Sequence, residues 1–159
     1  MQSGADSIAR ALEAKRLNTA ALPLLFAGIG QLLSRDMGGS SGVLLSILFT
    51  AAAGSLDRRG KLDEALADGV EKMQAYGGAR PGDRTMLDAL IPAIESLQRG
   101  ESLTQAAQAA RDGAQATASL TRANAGRSAY VPESALKGVV DPGAEAVARV
   151  FEALSHSVS

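Results

Sequence analysis

Apolar residues in this chain recur three and four positions apart in segment after segment, and nowhere do they alternate with period two for long enough to make a strand. That regularity confines the chain to packed helices. Leu22, Leu25, Phe26, Ile29, Leu32 and Leu33 mark one face of a helix. Thr19 and Pro23 set its start, because proline is tolerated in a first turn, and Asp36-Met37-Gly38-Gly39 sets its end. A shorter helix comes before it, carrying Ile8, Ala11 and Leu12, starting near Ser3 or Asp6 and ending around Leu17-Asn18. A third is apolar nearly all round, hence central, and is expected from residue 41 to about 53, with Gly54 ending it. Leu62, Leu66, Val70 and Met73 define a fourth, from 62 to 76. Met86, Leu87, Leu90, Ile91, Ile94 and Leu97 define a fifth, in which Pro92 removes the hydrogen bond to the carbonyl of Asp88 and should kink the helix. A sixth, from 102 to about 123, is built on alanine, which lets neighbouring backbones come close. Gly126 caps its end, 127–140 reads as a long loop, and a last helix carries Val147, Val150, Phe151 and Leu154 on its inner face. There is no internal repeat and no linker.

At 159 residues the chain fits one domain, 1–159, with a core large enough to be stable unaided. Cysteine is absent, which excludes disulfides, thiolate nucleophiles and thiolate-bound zinc. The single histidine, His156, lies among the last residues and reads as part of a frayed end, so no Ser-His-Asp triad or histidine metal cluster is available. A net charge of −1 and a pI near 5.8 argue against a nucleic-acid partner. The longest apolar run, 43 to 53, is interrupted by Ser46 and Thr50 and falls short of the about eighteen residues that a membrane span requires. Met1-Gln2-Ser3-Gly4-Ala5-Asp6 lacks the basic and apolar regions of a secretory signal. A cytoplasmic protein with no membrane partner is expected.

Three glycine-containing loops, around 38–42, 77–85 and 141–143, each lead directly into a helix. In Gly38-Gly39-Ser40-Ser41-Gly42 the glycines permit a tight turn, and the two hydroxyls stand where a helix needs caps. The N–H groups that open a helix lack intrahelical partners and carry partial positive charge, so the loop is either an anion cradle or a well-capped helix–helix turn. It has neither the lysine of the common phosphate loop nor a strand before it. In Gly82-Asp83-Arg84-Thr85-Met86-Leu87-Asp88, Asp83 or Thr85 is placed to cap, with Asp88 completing a loose capping box from Thr85. Arg127 is suited either to clamping a phosphate or to closing a surface ion pair. Asp141-Pro142 has the form of an N-cap acceptor followed by proline at the first helical position.

Taken together, these segments resemble the nucleotide-binding domain of the dihydroxyacetone kinases, the L-type subunit or its fused counterpart. The resemblance is carried by Met37-Gly38-Gly39-Ser40-Ser41-Gly42, Tyr76-Gly77, Gly82–Asp88, Gly126-Arg127-Ser128-Ala129-Tyr130 and Asp141-Pro142-Gly143-Ala144, in the family's order, from about Ile8 onward. It implies an antiparallel all-α barrel or bundle with ADP or ATP bound at one rim. It implies further that Gly39, Ser40 and Ser41 cradle the phosphates, with the two serines in direct contact. Gly77, Thr85 and Met86 would line the pocket, Asp141, Pro142 and Gly143 would close over it, and Arg127 would stand near a phosphate. In that family the ketose is held covalently by a histidine of a separate K-type subunit or domain. The nucleotide is either exchangeable ATP or a retained ADP recharged by a phosphotransferase-system protein. The fatty-acid kinases share this kind of domain, but the Gly82–Asp88 and Asp141–Ala144 segments favour the ketose-kinase branch.

One departure shapes the expectation. The family's Gly-Asp-Gly-Asp-His-Gly-like segment, whose aspartates hold two magnesium ions, falls over Met1-Gln2-Ser3-Gly4-Ala5-Asp6-Ser7, where Asp6 is the one carboxylate. No metal ligands and no catalytic residue are assigned, and about seven main helices are expected, the family's first helix missing. Phosphoryl transfer relies on neutralising charge at the transferring oxygens, so the chain alone is expected to be inactive or a degenerate, non-catalytic binding partner. Loss of one helix from the ring would expose apolar flanks and favour a homo-oligomer.

Overall fold

The computed structural model describes residues 2–157. It is all-helical among those residues, with α1 (Gln2–Glu13), α2 (Leu22–Asp36), α3 (Gly39–Arg59), α4 (Leu62–Gly77), α5 (Leu87–Gln98), α6 (Leu103–Ala116), α7 (Glu133–Leu136) and α8 (Pro142–Ser157). Apart from the single turn of α7 these are the seven main helices expected. Short 3-10 turns occupy Thr117–Ser119 and Arg127–Tyr130. The chain divides into two compact units, one ending at Gly78 and the other beginning at Ala79.

In the first unit α3 packs against both α2 and α4, and α1 against α2. Ala11, Leu17 and Leu32 form one buried cluster, and Ala52, Leu56 and Ala65 another, closed by the half-buried Phe26. Helix α1 ends earlier than expected, at Glu13. Lys15 turns into the left-handed region (φ 52°), Lys15 N–H bonds the Leu12 carbonyl, and Arg16 N–H bonds that of Ala11, a Schellman stop made with lysine where glycine is usual. Asp6 lies within α1 rather than at its start, and the Ser3 side chain lies outside the described residues. At α2 the N-cap is Ala21, not Thr19; the polar turn before it belongs to Asn18, whose Oδ1 accepts from Ala20 N–H at 3.0 Å. Pro23 sits in the first turn as expected.

Helix α3 corrects the sequence reading at both ends. It begins at Gly39 rather than Ser41, runs through Gly54, and stops at Gly60, which is left-handed at φ 72°. An internal glycine costs only about 1 kcal/mol. Beyond it, the burial of Leu56 and the bond from Ser55 Oγ to Asp68 Oδ2 at 2.6 Å keep the helix going. The segment Gly39–Arg58, with a mean hydropathy of 1.5, is long and apolar enough by length and composition to cross a membrane, contrary to the expectation that no run reaches that size. In this unit its apolar sides meet two helices, α2 and α4.

In the second unit α6 packs between α5 and α8. Ala106, Ala107, Ala110 and Ala114 are all buried there, the close alanine packing expected. Ser102 and Gln105 form a full capping box at the start of α6. The helix ends at Ala116, well short of 123, because Thr117 turns inward. Its hydroxyl donates to the Ala114 carbonyl at 2.6 Å and accepts from Asp141 N–H at 2.8 Å. The expected long loop contains two short pieces of helix, the second begun by Pro132 at its N-cap.

Arg111 of α6 ties α8 down, with Nε and Nη2 on the two oxygens of Glu152 and Nη1 on Glu145, which Arg149 also engages. The bonds from Arg111 hold the carboxyls of Glu145 and Glu152 below their ordinary value of 4.5. Glu101, bonded to Arg99 and Ser96, is held down to about 2. Carboxyls with lowered values in the folded state stabilise it above their unfolded value, and that contribution is lost as pH falls through the folded one. The unfolding midpoint should therefore stay flat down to about pH 5 and then decline, with Glu101 contributing until about pH 2. Arg111→Met should shallow the decline; a parallel curve for that variant would show that the α6–α8 network carries none of it.

Candidate functional site

The first unit contributes the turn between α2 and α3. Met37 caps α2, Gly38 is extended, and Gly39 enters α3 at φ 78°, a conformation that side chains avoid. Gly38 is the N-cap and has no side chain, so the hydroxyls of Ser40 and Ser41 come after the cap, in the first turn. Among the described residues neither hydroxyl has a hydrogen-bond partner, and Ser40 is exposed. The segment is a helix–helix turn without a side-chain cap, and the opening N–H groups of α3 have no side-chain acceptor. Gly42 is buried where the α3 backbone meets the end of α2: a β-carbon there would lie 1.8 Å from the Met37 carbonyl oxygen. Gly77 is the last residue of α4, its Cα against the Leu44 side chain, one turn beyond the serines. Gly39, Ser40, Ser41 and Gly77 thus share one end of this unit.

The second unit assembles the others. Asp83 is not the cap of α5. Its carboxylate accepts from Arg80 N–H at 2.7 Å and from Asn124 Nδ2 at 3.0 Å, stapling the loop. The N-cap position is Met86, and Thr85 stands just before it: its Oγ1 accepts from Leu87 N–H at 3.2 Å, while Asp88 Oδ2 accepts from Thr85 N–H at 2.7 Å. This is the reciprocal pairing the spacing suggested. Asp141 Oδ2 accepts from Gly143 N–H at 2.8 Å and Ala144 N–H at 3.0 Å, which makes it the N-cap of α8, with Pro142 first in the helix. Gly143 lies against Met86, where a β-carbon would stand 3.2 Å from the Met86 nitrogen. Thr85, Met86, Asp141, Pro142 and Gly143 therefore form one locality, with Met86 buried and Pro142 exposed. Arg127 opens the Arg127–Tyr130 turn; its side chain lies outside the described residues.

Sequence reasoning missed Arg84. It is 1% exposed, and its Nη1 lies 3.9 Å from Asp141 Oδ1. The position stood inside a recognised segment, but only the tertiary fold buries its guanidinium.

The family model of the DAK2 domain matches residues 1–156. The chain belongs to the DAK2 domain family. It is 47% identical over 156 residues to a dihydroxyacetone kinase of Citrobacter freundii, covering 98% of this chain and 28% of that protein. It is 40% identical to a human triokinase/FMN cyclase, covering 82% and 24%, and 35% identical to an L-erythrulose 1-kinase of Mycolicibacterium smegmatis, covering 82% and 24%. The crystal structure of the C. freundii kinase superposes with a TM-score of 0.84 at 44% identity, over 98% of this chain and 27% of that one. The structure of that kinase in complex with AMP-PNP and Mg2+ superposes at 0.80 and 42% identity, with the same coverage. This DAK2 domain thus spans about a quarter of the length of the relatives it matches. An anionic nucleotide fits the uncapped turn at Gly39–Ser41. Among the described residues no three carboxylate or histidine side chains gather, and Asp6 is exposed on α1; magnesium itself needs only one or two carboxylates beside the phosphates of a nucleotide.

Proposed function

We propose that this DAK2 domain binds the ADP or ATP of a dihydroxyacetone-type kinase and presents its phosphates to a small ketose carried on a separate K-type subunit or domain. The observation that carries this reading is the first turn of α3, where N–H groups and two hydroxyls stand without partners at the end of a long helix. Its partial positive charge favours a phosphate. In the first unit Gly39 lets the backbone approach the phosphates, Ser40 and Ser41 donate to their oxygens, and Gly77 lines the pocket. In the second, Thr85 and Met86 line the nucleotide, Asp141, Pro142 and Gly143 close over it, and Arg127 stands near a phosphate. The relatives are named for dihydroxyacetone, trioses and erythrulose, which supports a short ketose as acceptor. Transfer breaks the bond from the γ-phosphorus of ATP to the β–γ bridging oxygen, leaving ADP, and forms one to a ketose hydroxyl, whose proton passes to solvent. The nucleotide is either ATP that exchanges or ADP that a phosphotransferase-system protein recharges.

A second reading, a binding or regulatory partner without catalysis, is favoured by the exposed Asp6, the one carboxylate among residues 1–7, over which the resemblance would lay the family's metal-binding segment. Thermal unfolding with ADP or ATP, with and without magnesium, separates the two. A nucleotide at a hundred times its dissociation constant should stabilise the domain by about 2.7 kcal/mol. Ser40→Ala with Ser41→Ala should remove most of that gain without lowering the midpoint of the free protein. A magnesium-dependent gain supports the kinase reading, and a magnesium-independent one the non-catalytic partner. No gain with either nucleotide would overturn the proposed binding.

A further inference from the structure

Arg84 is a charged residue with 1% of its surface exposed, and its backbone is held at φ 60°, where a residue with a β-carbon is strained. Its Nη2 donates to the Val139 carbonyl at 2.6 Å and the Leu136 carbonyl at 3.4 Å. Its Nη1 faces Asp141 at 3.9 Å, and its buried Nε has no partner. Stability alone does not explain such a residue, because a buried pair is commonly matched or bettered by apolar side chains, and a buried donor without an acceptor is a cost. Its position does explain it. The chain runs from Arg84 directly into Thr85 and Met86, while its guanidinium grips the strip from Leu136 to Asp141 that leads into Pro142 and Gly143. Gly143 in turn is pressed against Met86.

We propose that Arg84 is the positioning residue of the nucleotide site, a latch that sets Asp141–Gly143 against Thr85–Met86. This rests on the functional reading above, which assigns both segments to the nucleotide. The latch works through charge and donors at the end of the side chain. Three acceptors, the carbonyls of Leu136 and Val139 and the carboxylate of Asp141, face the two terminal nitrogens, and Nε takes no part. An ammonium has three donors for the same three acceptors, so lysine should serve.

The test compares wild type, Arg84→Met and Arg84→Lys by ADP calorimetry and by amide exchange at Gly143 and Ala144, the two N–H groups that Asp141 caps. Arg84→Met should weaken ADP binding by about tenfold or more, as loss of a charged, buried hydrogen-bond set does. It should also raise exchange at those two amides above the rate set by global unfolding. Arg84→Lys should restore both. If the methionine variant does not fold, Arg84→Gln, which keeps donors without charge, takes its place in the same comparison. A folded Arg84→Met or Arg84→Gln with wild-type ADP affinity overturns the latch, as does an Arg84→Lys no better than Arg84→Met. Wild-type protein that binds no ADP overturns the functional reading and the latch with it, so the two failures are distinguishable.

Discussion

Gly42→Ala should lower the stability of this domain by about 2 kcal/mol and abolish its response to ADP. In an ordinary helix the change is favourable by about 1 kcal/mol, because alanine gives up less backbone freedom than glycine. Here the added β-carbon would lie 1.8 Å from the Met37 carbonyl oxygen, 2.8 Å from its carbon and 3.1 Å from the Leu33 carbonyl oxygen. All three are backbone atoms, so no rotamer change relieves the overlap. Overpacking of this kind costs about 3 kcal/mol at the upper end of its usual range, and it outweighs the helical gain. Relief requires the end of α2 and the first turn of α3 to separate, which moves Gly39, Ser40 and Ser41 together. Differential scanning calorimetry should show the midpoint falling by about 6 °C, and ADP calorimetry should show no heat. Gly54→Ala in the same helix is the control. Its β-carbon would meet only the flexible end of Arg58, at 3.4 Å, and it should raise stability by up to about 1 kcal/mol. Wild-type stability in Gly42→Ala would mean that the close approach of α2 to α3 is not needed.

Gly113→Ala should be comparably damaging in the second unit, by about 2 to 3 kcal/mol. Pro92 has no N–H to give to the carbonyl of Asp88, four residues back in α5. At that carbonyl α6 comes close: a β-carbon on Gly113 would stand 2.1 Å from the Asp88 oxygen and 3.2 Å from the Ala89 Cα. A side chain there forces α6 away from α5 and opens the alanine-lined contact along Ala106, Ala110 and Ala114. The strain also reaches the loop, because Asp88 holds Thr85 N–H and Gly82 N–H through its carboxylate. Urea unfolding should show a lower midpoint with an unchanged slope, the mark of a lost native interaction rather than a changed unfolded state. A midpoint within error of wild type would show that the two helices can part at no cost.

Both substitutions test features of which the sequence held only half. The glycine at 42 and the proline at 92 were legible as a turn signal and a missing donor, but what each faces was not. The local signals translated well. Pro23 lies in the first turn of α2, Thr85 and Asp88 pair as their spacing suggested, and Asp141 followed by Pro142 opens α8. In each case the interacting atoms lie within four residues, so short-range geometry is enough to specify the contact. The failures share the opposite property. Gly54 does not stop α3, because Ser55 and Leu56 beyond it are held by α4 and the core. Alanine-rich α6 stops early because Thr117 bonds Asp141, 24 residues on.

The amino-acid pattern by itself determined an all-helical DAK2 domain, the pairing of Thr85 with Asp88, the cap at Asp141, and only part of each buried face: Val147 and Phe151 of α8 are buried, whereas Val150 and Leu154 are 55% and 48% exposed. Tertiary structure alone decided that Ser40 and Ser41 follow the cap of α3 instead of making it, and that Arg84 sinks to 1% exposure against Val139, 55 positions away. Periodicity and capping act between neighbours in the chain and can be read there. Close backbone approach and the pairing of a buried charge depend on segments that only folding brings together.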